Sequence, residues 1–458
     1  MAKNNSQMIL KGSMVKAILT LSLPIMAGNL IQTFYNLTDT YFVSKLGTSQ
    51  MAAMQITFPL IFLLISLGAG LSVGGVALIS QYIGADKARD ARKIGGQLIT
   101  ASIIASFVVA LVGYLSAEKI LILMNAEGDL LKYASQFIKI IFLGAPTMFI
   151  TFAFNGIKQG EGDTLTPMLI SGGSVLLNIA LDPIFIFVLD MGIEGAALAT
   201  VISRGLFNLY ALYILFSKKH NTLGIKAKDL KINGHYLKQI MGVGMPAAIG
   251  QGTTALGFAV LNGFIIAYGE SIVTAFAIGN RLSSLIFMPA MGIGGALATI
   301  IGQNIGAGNI KRANQAFLTS SIMAAAIMAL SAIIMFFFTA NLVGIFTKDP
   351  YIISEGSYYL RMILITVPLF GFFNCLTGLF QGSGHTLAAM AINMGRLWVL
   401  RIPMILILRA FSINDPKYVW YAMIFSNIII VIVGMAMYST GKWKEPVIKR
   451  KKMKQKIA

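Results

Sequence analysis

The chain has 458 residues, of which 56% are hydrophobic and only 12% are charged, with a formal net charge of +19 and one cysteine, Cys375. This composition excludes an ordinary soluble globular protein, and one cysteine excludes both a disulfide scaffold and a thiolate metal site. A basic chain is also typical of nucleic-acid binders, but here the positive charge lies between long apolar stretches and follows membrane topology, so no nucleic-acid partner is predicted.

Apolar stretches long enough to cross a bilayer core, about 20 residues each, follow one another along the chain. Those of the first half lie at about 16–44, 51–80, 94–115, 133–157, 167–189 and 193–216. Those of the second half lie at about 239–268, 273–304, 315–338, 356–379, 389–410 and 417–438. Only helices or closed barrels satisfy backbone polar groups in lipid, and these stretches are too long for barrel strands. The sequence predicts an all-α integral membrane protein with twelve transmembrane helices.

The two halves of the chain are a duplication that aligns without a gap, and we call this alignment the repeat register. QYIGADKARDA, which begins at residue 81, faces QNIGAGNIKRA, which begins at residue 303, and five of the eleven positions are identical. The repeat register also pairs Pro24 with Pro246 and Pro146 with Pro368, and each proline permits a bend. Because six spans per repeat is an even number, the repeats are parallel. Two six-helix lobes related by a pseudo-two-fold axis along the membrane normal are predicted, with a cavity between them.

Hydrophilic segments divide the chain and orient it. The predicted domains are an N-terminal lobe at 1–216, a lysine-rich linker at 217–238, a C-terminal lobe at 239–440 and a basic tail at 441–458. With the amino terminus inside, twenty-four lysines and arginines fall in inside segments and seven in outside segments. The excess predicts a multi-pass protein of the cell membrane with both termini in the cytoplasm. The first apolar stretch is longer than a cleavable signal, so it is predicted to stay.

Two aspartates are the first candidates for chemistry. Fifteen of the seventeen acidic residues fall in loops, at helix ends or in the tail, whereas Asp39 and Asp182 fall within the first and fifth spans. An aspartate in the apolar zone costs about 2.5 to 3.5 kcal/mol on insertion scales, so it is a functional candidate, and a salt bridge inside the bundle is the alternative. Both residues lie near the outer ends of their spans at similar depth. They are therefore expected to meet.

Further oxygen atoms are predicted at the same depth. Asn178 lies one turn before Asp182 on the same helical face, and Thr200 lies on the sixth span with the Ala196 carbonyl one turn earlier. Carboxylates, an amide, a hydroxyl and a carbonyl are hard oxygen ligands that suit a small cation. Alternatively, the two carboxyl groups share a proton, because close like charges in a low dielectric cannot both stay ionised. The second half has no acidic residue within its spans, so ion coupling is predicted in the N-terminal lobe only.

Four arginines also lie within the predicted spans, namely Arg204, Arg281, Arg396 and Arg401. Snorkelling or carbonyl pairing explains most such arginines. A substrate or gating role fits best the pair Arg396 and Arg401, which share one span.

The sequence has no phosphate-binding loop, no zinc-binding pair of histidines and no nucleophile elbow. We therefore predict that the chain is not an enzyme and has no cofactor. The energy source of any active transport is then an ion gradient, and the coupling ion is Na⁺ or H⁺. Because duplicated halves are typical of secondary transporters, an ion channel is a more distant alternative to a transporter.

The sequence resembles a known family from about residue 13 to residue 440, and five segments are the most specific part of this resemblance. They are LPIMAGNLIQTFYNLTDTYFVSKLG in the first span, QYIGADKARDARK after the second, GDTLTPM before the fifth, LNIALDPIFIF in the fifth and MGIEGAALATVIS at the start of the sixth. Together they resemble the MATE family, the multidrug and toxic compound extrusion transporters. The chain is more similar to the DinF-like prokaryotic branch than to the NorM-like one, whose acidic residues on helices 7 and 10 it lacks.

The resemblance implies a secondary antiporter that exports organic cations or other amphipathic compounds against Na⁺ or H⁺ by alternating access. It implies a monomer in a lipid bilayer with small-molecule substrates. A flippase for lipid-linked precursors, which shares this general architecture, is the alternative function.

The resemblance also implies roles for individual residues. The implied cation or proton site, which is the Na⁺ site if sodium is coupled, is Asp39, Asn178, Asp182 and Thr200. Tyr35 and Asn155 are similar to positions that line the same cavity, and Pro24 to a bend linked to protonation. The predicted substrate cavity therefore consists of Pro24, Tyr35, Asn155, Arg396 and Arg401.

Overall fold

The computed structural model describes residues 2–217, 222–410 and 415–448. In these ranges the ordered elements are helices, and no strand occurs. The all-α prediction is confirmed. Residues 218–221 of the predicted linker and 449–458 of the predicted basic tail lie outside the described residues.

A short helix, α1 (Ala2–Lys11), precedes the helices of the first half. These are α2 (Met14–Ser44), α3 (Thr48–Gly84), α4 (Ala88–Leu123), α5 (Gly128–Leu143), α6 (Ala145–Glu161), α7 (Leu165–Pro183) and α8 (Gly192–Phe216). A π-helical segment, Ile184–Val188, continues α7. Because Pro183 has no N–H to donate to the preceding turn, the regular helical pattern changes at this point.

The second half repeats this arrangement. Its helices are α9 (Gly234–Ile266), α10 (Glu270–Ala307), α11 (Ile310–Phe337), α12 (Thr339–Gly344), α13 (Pro350–Gly382), α14 (Thr386–Met394), α15 (Ile402–Arg409) and α16 (Lys417–Ser439). A π-helical segment, Gly395–Arg401, joins α14 to α15. Eleven of the described helical segments are long and apolar enough to cross a membrane, and the pair α5 and α6 makes twelve. The twelve-span, two-lobe prediction is confirmed, whereas the lobe boundaries at 216 and 239 stay predictions.

The two paired prolines have different effects. Helices α5 and α6 meet at an angle of 47°, and Pro146 stands in the first turn of α6. Pro368 lies inside α13, which continues past it. Two residues before the proline the first half has Gly144, where the second half has Thr366. Gly144 has φ −78° and ψ −3°, which any residue adopts, but a methyl group there would clash with Val201. The glycine therefore gives space for the break against α8, and the predicted bend becomes a break in one half only.

The halves contact each other near one membrane face, which we call the terminal face because α1 and residues 442–448 lie there. Gln81 Nε2 donates to the Gly382 carbonyl at 3.2 Å. Closer to the membrane centre, Gln159 Nε2 donates to the Gly295 carbonyl at 2.9 Å, and Thr299 Oγ1 donates to the Gln159 carbonyl at 2.9 Å. These bonds close the structure on the terminal side.

Small residues let the backbones touch across this contact. A methyl group added to Gly306 would clash with the carbonyl oxygen of Gln81, and one added to Gly84 would clash with that of Gln303. The repeat register relates the two contacts, so each repeat presents the same Gln and Gly to the other. We call these four residues the glycine seam. Only glycine allows helices to approach this closely.

The described part of the linker packs on the first half. Gln97 Nε2 on α4 donates to the carbonyls of Asp229 and Lys231 at 2.9 and 2.7 Å, and its Oε1 accepts from the Asn233 amide at 2.8 Å. Arg92 forms an ion pair with Asp229 at 3.0 Å. The linker is therefore attached to the N-terminal half before it enters α9.

Candidate functional site

Two carboxyl groups converge inside the first half. Asp39 on α2 is 5% exposed, and Asp182 at the end of α7 is 0% exposed. Asp39 lies one helical turn after Tyr35, whose hydroxyl is 2.8 Å from that of Thr200, and Asn178 contacts both Thr200 and Asp182. The structure thus brings together the two aspartates that depth and charge singled out.

Hydrogen bonds connect the other predicted residues to this pair. Asn178 Nδ2 donates to Asp182 Oδ1 at 3.0 Å and lies 3.5 Å from Thr200 Oγ1. The hydroxyl groups of Thr200 and Tyr35 are 2.8 Å apart. A buried polar network therefore extends across α2, α7 and α8.

Three oxygen atoms of this network are buried without a hydrogen-bond partner. They are Asp39 Oδ1, Asn178 Oδ1 and Asp182 Oδ2. A buried acceptor without a donor costs about 1–3 kcal/mol, and more when it is charged. Among the described residues, no lysine or arginine forms an ion pair with either aspartate. The salt bridge that was the alternative explanation is therefore not found.

The arrangement suits a proton or a single small cation. Carboxylate, amide and hydroxyl oxygens are hard ligands that suit a small cation, whereas a single proton would neutralise one carboxyl group and satisfy at most two of the three unpartnered atoms. Within the described ranges no group of three histidine, cysteine, aspartate or glutamate residues could hold a metal ion. A multi-carboxylate metal cluster is thus not part of this site.

Arg204 is a member of the site that the sequence did not assign to it. Its guanidinium lies 5.7 Å from the centre of the Tyr35 ring, and its charge acts on Asp39. It also lines a cavity of about 60 Å³ beside Tyr35 and Asn178, which has room for a few water molecules. The available signal was spacing, since Arg204 follows Thr200 by one helical turn.

Three other predicted residues lie away from this cavity. Ala196 is fully buried one turn before Thr200, where its carbonyl belongs to the hydrogen-bonding pattern of α8. Pro24 lies fifteen positions before Asp39 on α2, which is about 22 Å along a helix. Asn155 on α6 has a buried, unpartnered Oδ1, but it is not among the residues that line the cavity.

Arg396 and Arg401 line a second cavity, in the other half of the molecule. It has a volume of about 430 Å³ and is bordered by α9, α10, α13, α16 and the π-helical segment Gly395–Arg401, with Phe62 of α3 at its edge. The two cavities have no lining residue in common. The substrate cavity predicted as one set is therefore divided between the halves, with Tyr35 in one and both arginines in the other.

Comparison with known proteins identifies similar chains over nearly the whole length. The family model MatE matches residues 24–184 and 246–407, two segments that begin at the paired prolines Pro24 and Pro246. The chain is 28% identical over 449 residues to the probable multidrug resistance protein NorM of Thermotoga maritima, covering 96% of each chain. It is 30% identical over 408 residues to the multidrug export protein MepA of Staphylococcus aureus, covering 87% of this chain and 88% of that one.

Solved structures agree with this likeness. A MOP superfamily transporter from Pyrococcus furiosus superposes with a TM-score of 0.90 at 28% identity, covering 95% of this chain and 97% of that chain. An outward-facing multidrug resistance MATE family transporter superposes with the same TM-score, identity and coverage.

Proposed function

The chain belongs to the MatE family and is a multi-pass membrane transporter of the multidrug efflux type, and on that premise we propose that it exports amphipathic compounds, organic cations among them, in exchange for Na⁺ or H⁺. The family prediction is confirmed, and the bacterial relatives are consistent with the prokaryotic branch predicted for it. The relatives' names indicate multidrug export, so the flippase alternative is not favoured.

One observation supports ion coupling in the N-terminal lobe. Asp39, Asn178 and Asp182 each have one buried oxygen without a donor, so a proton or a Na⁺ ion would stabilise the network. Their counterparts in the repeat register are Leu261, Leu400 and Met404, none of which could hold an ion. We therefore assign the coupling site to one lobe.

Coupling needs an ion that binds one conformation better than the other. We propose that the lobes rock so that the glycine seam is closed in the outward-facing state and parted in the inward-facing state, and that ion occupancy of Asp39 and Asp182 favours release of the substrate outward. With both termini in the cytoplasm, as the lysine and arginine distribution predicts, the closed terminal face is the cytoplasmic one. The described conformation is then outward-facing.

The domain assignment supports this mechanism as a proposal. The lobes would be 1–216 and 239–440, with a linker at 217–238 and a basic tail at 441–458. Since the linker packs on α4 through Gln97 and Arg92, it would move with the N-terminal lobe. We propose that one chain suffices for transport and that no cofactor takes part.

Reconstituted vesicles test the proposal. Export of an amphipathic cationic dye should depend on an imposed ion gradient. The Na⁺ and H⁺ gradients are collapsed in separate experiments, and the coupling ion is the one whose collapsed gradient stops export. Asp39→Asn should remove this dependence. Asp190→Asn, which changes an exposed aspartate in the turn before α8, is the matched control. Export that continues with both gradients collapsed would rule out antiport.

A further inference from the structure

The cavity of the C-terminal lobe has an unusual charge. Of the described residues that line its volume of about 430 Å³, two are charged, Arg396 and Arg401, and none is acidic. They are only 7% and 2% exposed. Neither forms an ion pair in the described part of the chain. Two positive charges are thus buried beside an open volume without a negative charge to balance them.

Neutral groups hold Arg401 in place. Its Nε donates to Ser426 Oγ at 3.0 Å, and its Nη2 donates to Asn427 Oδ1 at 2.7 Å. The amide of Asn427 is itself fixed, because its Nδ2 donates to Thr366 Oγ1 at 3.2 Å. These bonds orient the guanidinium but leave its charge uncompensated.

Arg396 has fewer partners. Its guanidinium lies 4.4 Å from the centre of the Phe373 ring and 5.6 Å from that of Phe370. Its Nε is buried and has no hydrogen-bond partner. The ring faces stabilise a cation in part, but they carry no negative charge that would neutralise the guanidinium.

The π-helical segment explains why both arginines reach the same volume. In an α-helix, residues five positions apart point about 140° away from each other, at about 100° per residue. In a π-helix, the hydrogen bonds run from residue i to residue i+5, which places such residues one above the other. The segment Gly395–Arg401 contains both arginines, so the local backbone directs two positive charges to one side.

Two like charges in a low-dielectric interior repel each other, and the charge of Arg401 acts on Arg396. A bound oxyanion would offset this repulsion and the desolvation of both groups. Guanidinium groups match carboxylate, sulfonate and phosphate oxygens, often with two parallel hydrogen bonds. The rest of the wall includes the aromatic rings of Phe258, Phe287 and Phe370, which suit an apolar body.

We propose that the C-terminal cavity binds amphipathic anions, in which a carboxylate, sulfonate or phosphate group is attached to an apolar, preferably aromatic, body. The oxyanion would lie between Arg396 and Arg401, and the apolar body would lie against the phenylalanines. This assignment rests on the proposed export function and names a substrate class for it. A purely cationic compound would be repelled from this cavity, so the organic cations of the proposed export function would bind outside it.

A matched pair of ligands tests the site without transport. Pyrenebutyrate and a pyrenebutyl trimethylammonium salt share an aromatic body and differ in charge. Their binding to the purified protein in phosphatidylcholine nanodiscs can be followed by pyrene fluorescence, with empty nanodiscs subtracted. We expect the anion to bind, and Arg396→Gln and Arg401→Gln each to weaken it by roughly 10-fold to 100-fold, as for the loss of a charged hydrogen-bonding partner. The cation should bind no worse in these variants than in the unmodified protein.

Two further variants keep the test specific. Arg396→Lys preserves the charge and should restore most of the binding that Arg396→Gln loses. Arg281→Gln removes an exposed arginine of α10 that does not line the cavity, and it should change nothing. Unchanged anion binding in both glutamine variants, provided they elute as intact protein, would overturn the proposal.

Competition distinguishes the source of the anion. Displacement of pyrenebutyrate by soluble naphthoate would identify a soluble ligand. Displacement by phosphatidylglycerol added to the nanodiscs would identify a lipid. Either supports the site when it depends on Arg396. Anion binding needs no gradient, so a failure of gradient-driven export would refute antiport and leave this site intact. Normal export together with unchanged anion binding in the glutamine variants would refute this site alone.

Discussion

The N-terminal lobe buries two aspartates in a polar network beside a cavity of about 60 Å³ that Tyr35 and Asn178 line, whereas the C-terminal lobe has two arginines in the wall of a cavity of about 430 Å³. The two lobes come from one repeat, and the equivalent positions can be compared directly. Asp39 corresponds to Leu261, and Asp182 to Met404, while Arg396 corresponds to Ser174. A few substitutions on a shared backbone have therefore reversed the charge of the interior.

The comparison suggests a division of labour. A buried network with unpartnered oxygens suits an ion, and a large space with aromatic walls suits an organic molecule. Each lobe also has a π-helical segment on its fifth span, but the segments differ in position, since Ile184–Val188 follows the aspartate and Gly395–Arg401 contains the arginines. The two lobes thus share one fold, but the π-helical segment presents different side chains in each.

The largest effect on transport is expected at the acidic pair, Asp39 and Asp182. Asp182→Asn would remove a charge that has no equivalent in the other lobe, so ion binding should no longer favour one conformation. Gradient-driven dye export should fall by roughly 5- to 150-fold, which corresponds to a coupling free energy of about 1–3 kcal/mol. The measurement is the initial export rate in vesicles with and without the gradient. Full activity in the variant would show that the acidic pair is not the coupling site.

The converse change tests whether the second lobe could hold an acid. Leu261 is fully buried in an apolar cluster, and Leu261→Asp would place a carboxyl group there without oxygen partners. We expect a loss of about 2.5 to 3.5 kcal/mol of stability, the cost of an aspartate in the apolar zone. Thermal unfolding of the purified protein measures it. The control is Leu261→Met, which conserves the side-chain volume and should cost less than about 1.5 kcal/mol of stability.

A smaller effect is expected at Tyr35. Its hydroxyl contacts Thr200 Oγ1 at 2.8 Å, and the equivalent position in the second lobe is Gly257. Tyr35→Phe removes one buried hydrogen bond, worth about 1 kcal/mol, and should weaken apparent ion affinity about fivefold. The ion concentration that gives half-maximal export measures this. An unchanged value would place Tyr35 outside the ion-binding network.

The smallest effect concerns the turn before the fifth span of each lobe. Asp163 in the first lobe corresponds to His385 in the second. Burial lowers the pKa of His385 below its usual value near 6.5, so the folded protein binds this proton less well than the unfolded chain. The stability from neutral His385 is therefore present above about pH 6.5 and is lost as the pH falls below it.

His385→Gln should reduce the decrease in Tm between pH 7 and pH 5. Asp163→Asn is not expected to change that decrease in the same way, because it leaves the histidine in place. Parallel thermal scans at the two pH values compare the variants. An identical decrease in the His385→Gln variant and the unmodified protein would contradict the assignment.

The sequence predicted much of this arrangement because hydropathy and repetition report on the whole chain. The twelve spans, the duplication and the meeting of Asp39 with Asp182 all follow from apolar length, depth and charge. The break at Pro146 was harder to predict from the sequence, because it depends on Gly144 as well as on the proline. The linker's attachment to α4 depends on long-range hydrogen bonds of Gln97 that no local pattern records.

The candidate site was predicted in part for the same reason. Helical spacing indicates which residues share a face, but it does not show which face of a neighbouring helix they meet. Arg204 was therefore left among the other span arginines, although it lies one turn from Thr200. Similarly, Tyr35 and Arg401 were grouped in one cavity, whereas the structure separates them into two lobes.

The glycine seam has a consequence for electrical insulation. Gln81 and Gly84 of one repeat meet Gly306 and Gln303 of the other with their backbones in contact, which leaves little space for water between these helices. Protons and sodium ions need a continuous file of water to cross. A methyl group at Gly306 would clash with the Gln81 carbonyl oxygen and hold the seam apart, so we expect Gly306→Ala to let protons or sodium ions leak through the outward-facing protein. The glycines would thus act as an electrical seal in the described conformation.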